Sequence, residues 1–218
     1  MKQKTMIVIS AIVSTIGLYF LIKPKSKGQL GNTATRYKTI NDNGFIITIP
    51  DSNKKQFDVV YIFGGMAYAN PKWMYSKIPS SVFLNNVVII APYTSKFSST
   101  KSKLQEIITP KGIKVGSISL MGFSAGALNV LDNYSPNYKF IGLIDPSNRE
   151  GHLGIDLGKN AFMTYNQSNW GSYPRIKKDM GAMAEKIRNN GGVAESVKLS
   201  HKDIPSYFFN KFATTINK

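Results

Sequence analysis

A serine flanked at two positions on either side by glycine, Gly122-Phe123-Ser124-Ala125-Gly126, lies between a strand-like ISLM and a helix-like AGALNVL. Such a spacing suits nucleophilic chemistry. A strained turn between strand and helix lifts the serine hydroxyl clear of the sheet, and the small residues keep neighbouring backbone from colliding there. The helix that starts at the turn directs free N–H groups and the positive end of its dipole toward developing negative charge. A serine hydroxyl needs a base to take its proton, and histidine suits that role near neutrality. The chain has two, His152 and His201. His201 follows the last predicted strand and precedes a C-terminal helical segment; His152 sits in a polar, glycine-containing loop. Asp145, in GLIDPSN, stands at the C-terminal end of the strand after the nucleophile helix, where open α/β sheets present functional groups. It also fits a turn-capping role before Pro146.

The elements that must position these residues follow a regular order. GFIITIP (44 to 50) reads as an early strand, fit to be one arm of an antiparallel start. FDVVYIFGG (57 to 65) and VVIIAPY (87 to 93) are continuous apolar runs, as expected of strands buried on both faces. SSTKSKLQEII (98 to 108) has a hydroxyl-rich start and helical apolar spacing. Residues 115 to 134, 139 to 147 and 160 to 166 each begin as a strand, and 176 to 192 reads as an amphipathic helix closed by glycine. VAESVKLSH (193 to 201) is the last predicted strand. The expected fold class is therefore α/β, a mostly parallel central sheet flanked by helices.

With GFSAG in that context, and with this order of elements from about residue 44 to the C-terminus, the chain resembles the α/β-hydrolase superfamily. The resemblance implies a small α/β-hydrolase fold and a Ser-Asp-His triad in that chain order: Ser124 as nucleophile, Asp145 as acid, His201 as base. That family most often places its acid after the next strand, which here ends in TYNQSNWG without a carboxylate; Asn166, Ser168 and Asn169 cannot replace the charge. Asp145 is preferred because chlorophyllase-like and related esterases resemble it with an Asp-Pro at a similar place, Asp156 and Glu150 remaining as alternatives. The oxyanion donors implied are the N–H of Ala125 and one from Gly65 or Met66, in an FGGM loop that resembles the family's HGG-type loop with Phe63 in place of the histidine. Tyr68, Trp73, Tyr93 and Trp170 fall in loops at the same end of the sheet and are candidate walls of a substrate pocket, although each also suits plain packing.

Composition bounds the rest. No Cys among 218 residues excludes disulfide scaffolds and Cys-ligated zinc or iron–sulfur sites. No cofactor or metal is expected of the mechanism implied. Residues 6 to 22, MIVISAIVSTIGLYFLI, form an uncharged run flanked by lysines, the shortest plausible spanning helix. The expected organisation is a single-pass anchor over 1–22, a linker over 23–39 and a hydrolase domain over 40–218; a cleaved signal peptide, giving a secreted protein, is the alternative. The side of the membrane stays open, because both flanks are basic. The net charge of +16 divides into +7 over residues 1 to 40 and +9 beyond, where 21 basic face 12 acidic residues. The basic residues are scattered without interleaved stacking aromatics, so nucleic acid is not an expected partner. Missing G-x-G-x-x-G and P-loop patterns argue against a nucleotide-binding domain.

The function expected is a membrane-anchored serine hydrolase of carboxylic esters, with a small-molecule or lipid ester as substrate. A peptidase or an acyltransferase would use the same machinery. A tethered binding or structural protein on the same scaffold is the non-catalytic alternative.

Overall fold

The computed structural model describes residues 36–147 and 155–218. Eight strands form one sheet: β1 (Arg36–Asp42), β2 (Phe45–Asp51), β3 (Gln56–Phe63), β4 (Val87–Ala91), β5 (Lys114–Phe123), β6 (Phe140–Ile144), β7 (Ala161–Tyr165) and β8 (Val193–Ser196), in the order β1-β2-β4-β3-β5-β6-β7-β8. The helices are α1 (Pro71–Tyr75), α2 (Ser80–Asn85), α3 (Phe97–Ile108), α4 (Gly126–Asp132), α5 (Pro174–Asn189) and α6 (Ile204–Ile216). β1 and β2 form an antiparallel hairpin whose two turn residues, Asn43 and Gly44, both take positive φ (46° and 81°). That left-handed pair matches the twist of the flanking strands. β2 meets β4 antiparallel, and β4, β3, β5, β6, β7 and β8 run parallel.

The apolar runs are explained by two-sided burial. Along β3, Val59, Tyr61 and Phe63 face one layer while Val60 and Ile62 face the other, all without exposure. Alternate residues of a strand point to opposite faces, so a strand covered on both sides reads as continuously hydrophobic. The first layer is α3, α4 and α5, supplying Leu104, Val130, Met180 and Ile187; the second is α1, α2 and α6, supplying Met74, Phe83, Phe208 and Phe212. Packing on the second side is aromatic, with Phe140 and Phe162 stacked at 4.4 Å between centroids. At the start of β5, Asp58 spans the register shift between β3 and β5: its Oδ1 accepts from Ser117 N–H at 2.9 Å and its Oδ2 pairs with Lys139 Nζ.

Three sequence expectations change. Residues 36–39, read as the end of the linker, are part of β1, because the hairpin pairs Arg36 with Asp51 and so carries the sheet back to Arg36. The last strand stops at Ser196 rather than at residue 201, since β8 is an edge strand with β7 as its neighbour; beyond Val197, whose N–H still reaches Tyr165 O, the chain turns over the sheet's end. Helices α1 and α2 occupy the stretch between β3 and β4, for which no element is expected from sequence. The apolar run 6–22 lies outside the described residues. Among the described residues no helix is long and apolar enough to cross a membrane.

Candidate active site

Ser124 ends the ascent of β5 on a bend. Its φ is +53°, and its N–H bonds Ile144 O at 2.9 Å, so the β5–β6 ladder runs up to the residue that breaks it. A non-glycine residue with positive φ is strained and held there by its surroundings. The glycines supply the holding. A Cβ on Gly126 would lie 2.4 Å from both Gly64 O and Phe63 O, and one on Gly122 would lie 2.3 Å from Gly126 O. The bend is thus wedged against the C-terminal end of β3, which only bare backbone permits. Gly65 is also close, though less so: a Cβ there would stand 3.0 Å from Ser124 Cβ. Gly65 thus packs beside the serine, Ala125 follows it in the chain, and Met66, 63% exposed, lines the same cleft.

Asp145 ends β6 in the same manner. Its φ is +40°, its N–H bonds Thr164 O at 2.7 Å, and its side chain is fully buried. Three donors converge on the carboxylate. Oδ1 accepts from Asn166 N–H at 2.9 Å; Oδ2 accepts from Asn169 Nδ2 at 2.9 Å and from His201 Nδ1 at 2.6 Å. A buried carboxylate is tolerable when its lone pairs are used in this way. The same two asparagines tie down the histidine's loop, both donating side-chain N–H to Leu199 O, at 2.8 and 3.2 Å. Asn166 also caps the 3-10 turn Gln167–Trp170 by accepting from Ser168 N–H at 3.0 Å. The segment after β7 lacks an acid and instead supplies the amides that hold the acid of β6.

A neutral imidazole that donates its Nδ1 proton to Asp145 carries its lone pair on Nε2. The ring packs against Phe123 (4.5 Å, 31°) and Trp170 (5.2 Å, 78°), which restrict its plane. Ser124 and His201 open on one cleft of about 780 Å³, with Asp145 behind the imidazole. Trp170, Tyr173 and Ile176 form its apolar wall, and Asp179 of α5 adds a buried carboxyl to it.

Of the four aromatic residues expected around the pocket, Trp170 lines the cleft. Tyr68 stacks on Trp73 at 4.1 Å, and Trp73 on Phe123 at 5.4 Å, so this pair packs beneath the site and buttresses the strand that carries the serine. At Tyr93 the backbone carbonyl accepts from Asn129 Nδ2 at 2.7 Å, bracing α4 rather than the cleft. His152 and Glu150 lie outside the described residues, and Asp156 bonds Asn190, away from the cleft. Sequence reasoning missed Tyr173, Ile176 and Asp179, whose place depends on how α5 packs, and missed the role of Asn166 and Asn169. The signal for the two asparagines was available: they follow the strand after which an acid is usually sought. Among the described residues no group of three or more His, Asp or Glu is placed to hold a metal ion.

This sheet order, with a bend after β5 and loops converging over the parallel strand ends, is the α/β-hydrolase fold. Solved structures share it, three of them as follows. The fluorophosphonate-binding serine hydrolase F (FphF) of Staphylococcus aureus, in a substrate-bound structure, superposes with a TM-score of 0.57 at 7% identity, over 86% of this chain and all (100%) of that one. The siderophore hydrolase EstB from Aspergillus nidulans gives 0.50 at 11% identity, over 85% and 95%. A hyperthermophilic esterase from the archaeon Pyrobaculum calidifontis gives 0.50 at 13%, over 86% of each chain. No family model matches the chain, and no curated protein matches it in sequence.

Proposed function

We propose that the protein is a serine hydrolase of carboxylic esters, in which Ser124, Asp145 and His201 act as nucleophile, acid and base. The observation that carries this reading is the 2.6 Å bond between a fully buried Asp145 and His201, on the same cleft as a serine held at φ +53°. Ser124 Oγ attacks the ester carbonyl carbon while His201 Nε2 takes the hydroxyl proton. Asp145 stabilises the imidazolium and keeps the ring's tautomer. The N–H of Ala125 and one from Gly65 or Met66 receive the charge on the carbonyl oxygen. Collapse breaks the C–O bond to the alcohol, which leaves with the proton from His201. A water molecule, deprotonated by the same imidazole, then attacks the acyl-enzyme; the proton returns to Ser124 as the acid departs. The apolar cleft wall favours an ester substrate of small-molecule or lipid kind.

Within the same reading, residues 6–22 anchor the chain in a membrane as a single pass, 23–35 link it to the sheet, and the hydrolase domain follows. Support comes from the uncharged 17-residue run and its lysine flanks.

A fluorophosphonate probe tests the chemistry. The folded native chain is expected to label covalently, and Ser124→Ala to lose the label. Absence of labelling on folded protein would favour a non-catalytic binding module instead. A panel of p-nitrophenyl esters of rising chain length, with a peptide control, then separates esterase from peptidase. Alkaline carbonate extraction of membranes tests the anchor, since release of the intact chain into the supernatant would refute it.

A further inference from the structure

Among the described residues, Met66 and Tyr173 are the two most exposed large apolar side chains, at 63% and 59%, and both line the cleft onto which Ser124 and His201 open. Apolar residues exposed singly over a surface are ordinary, but these two come from different segments and meet at one cleft. The same end of the sheet is basic. Lys72, Lys96, Lys177, Lys178, Lys198 and Lys202 are exposed in the segments that leave the C-terminal ends of β3, β4, β7 and β8. Lys177 lies one turn on from Tyr173, whose carbonyl its N–H meets at 3.1 Å, and Lys202 follows His201 in the chain. The carboxylates nearest these lysines in the same segments are Asp179, which is buried, and Asp203, which accepts a hydrogen bond from Ser200 Oγ. Asp42, at the β1–β2 turn on this end, pairs with Lys103 at 2.6 Å. A second copy of the chain would bring the same lysines against these and be repelled. An anionic lipid surface complements both features, since apolar and aromatic tips enter the headgroup layer, where tyrosine is enriched, while lysines meet lipid phosphates.

We propose that this end of the protein docks on an anionic lipid surface, with Met66 and Tyr173 entering the headgroup layer and the six lysines facing lipid phosphates. The docking rests on the surface alone; joined to the hydrolase reading, it turns the cleft toward esters held in that lipid.

The protein has no cysteine, so single introduced cysteines can carry a fluorophore without interference. The full chain is reconstituted in vesicles of phosphatidylcholine alone, or with about one third phosphatidylglycerol. It carries an environment-sensitive fluorophore at Met66→Cys, at Tyr173→Cys or at Lys54→Cys, the last in the β2–β3 turn at the opposite end of the sheet. In anionic vesicles the first two probes are expected to shift to the blue and to be quenched by nitroxide-bearing lipid. The third is expected to stay unchanged, and raised salt to reverse the shift of the other two. Adding Lys177→Gln and Lys178→Gln is expected to lower the docked population, each lysine contributing about fivefold. No shift of the first two probes, an equal shift in neutral vesicles, a shift of the third probe alone, or a double lysine variant that docks like native would overturn the docking. A shift that follows protein concentration instead of anionic lipid would assign the face to a second copy, and one produced by soluble polyglutamate but not by vesicles would assign it to an acidic protein; either overturns the proposal. The readout involves no turnover, so its failure leaves the hydrolase reading standing, and failure of fluorophosphonate labelling leaves the docking standing.

Discussion

The imidazole of His201 and the carboxylate of Asp145 are joined at 2.6 Å although 56 residues separate them along the chain. Asp145, strained at φ +40°, is held by Thr164 O on its N–H and by the Asn166 and Asn169 donors on its carboxylate, and His201 by a loop whose Leu199 carbonyl receives two asparagine amides. Neither partner can shift alone without breaking bonds to the other's support. Replacing Asp145 with Asn is therefore expected to lower kcat/KM toward esters by about 10⁴-fold, through loss of the imidazolium's counter-charge and of the correct tautomer. Steady-state hydrolysis with circular dichroism as a folding control checks this; activity within tenfold of native would remove Asp145 from the mechanism.

Asn169 joins the Asp145 and His201 loops through one amide, donating to Asp145 Oδ2 at 2.9 Å and to Leu199 O at 3.2 Å. Asn169→Ala deletes a hydrogen bond to a buried carboxylate, a loss of about 1.5–3 kcal/mol. If the whole of it falls on the transition state, kcat drops by about 10- to 150-fold. Kinetics that split kcat from KM are the measurement, with the effect expected in kcat.

Gly126 touches the carbonyl oxygens of Phe63 and Gly64 so closely that a methyl group would stand 2.4 Å from each. Gly126→Ala should destabilise the domain by at least about 2 kcal/mol, because backbone on both sides must move. Urea unfolding of the variant, together with its fluorophosphonate labelling, would show both the lost stability and the misplaced serine. A variant as stable as native would mean the wedge has room to relax.

Burial pushes the Asp58 carboxyl upward, yet the Lys139 ammonium and the N–H of Ser117 more than offset this and hold it below the usual carboxylate range. A depressed folded-state pKa adds stability above the unfolded value of about 3.9, and that stability disappears as pH falls through the folded value. Asp58→Asn should accordingly destabilise the protein at neutral pH, and the gap to native should close as pH falls through the lowered folded-state value. Thermal melts across the acid range would reveal it; a gap that widened toward low pH would contradict the sign.

What the sequence determined by itself was local. The bend at Ser124 is written in five contiguous residues, because the left-handed serine and the close approach of Gly122 to Gly126 fall within one turn of chain. The strands were legible for a similar reason: two-sided burial leaves unbroken apolar runs in β3 and β4. The hairpin β1 was hidden by its exposed polar residues and by the lysines that made it look like linker. The donors to Asp145 lie 21 and 24 residues beyond it and reach it because β6, β7 and β8 are neighbours in the sheet. Nothing in TYNQSNWG says which carboxylate its amides will find. The cleft wall formed by α5 was equally out of reach, since helical periodicity marks an apolar face but not the loop it will oppose. Tertiary packing decided these points, because a hydrogen bond across strands depends on register and sheet order, which no single segment encodes.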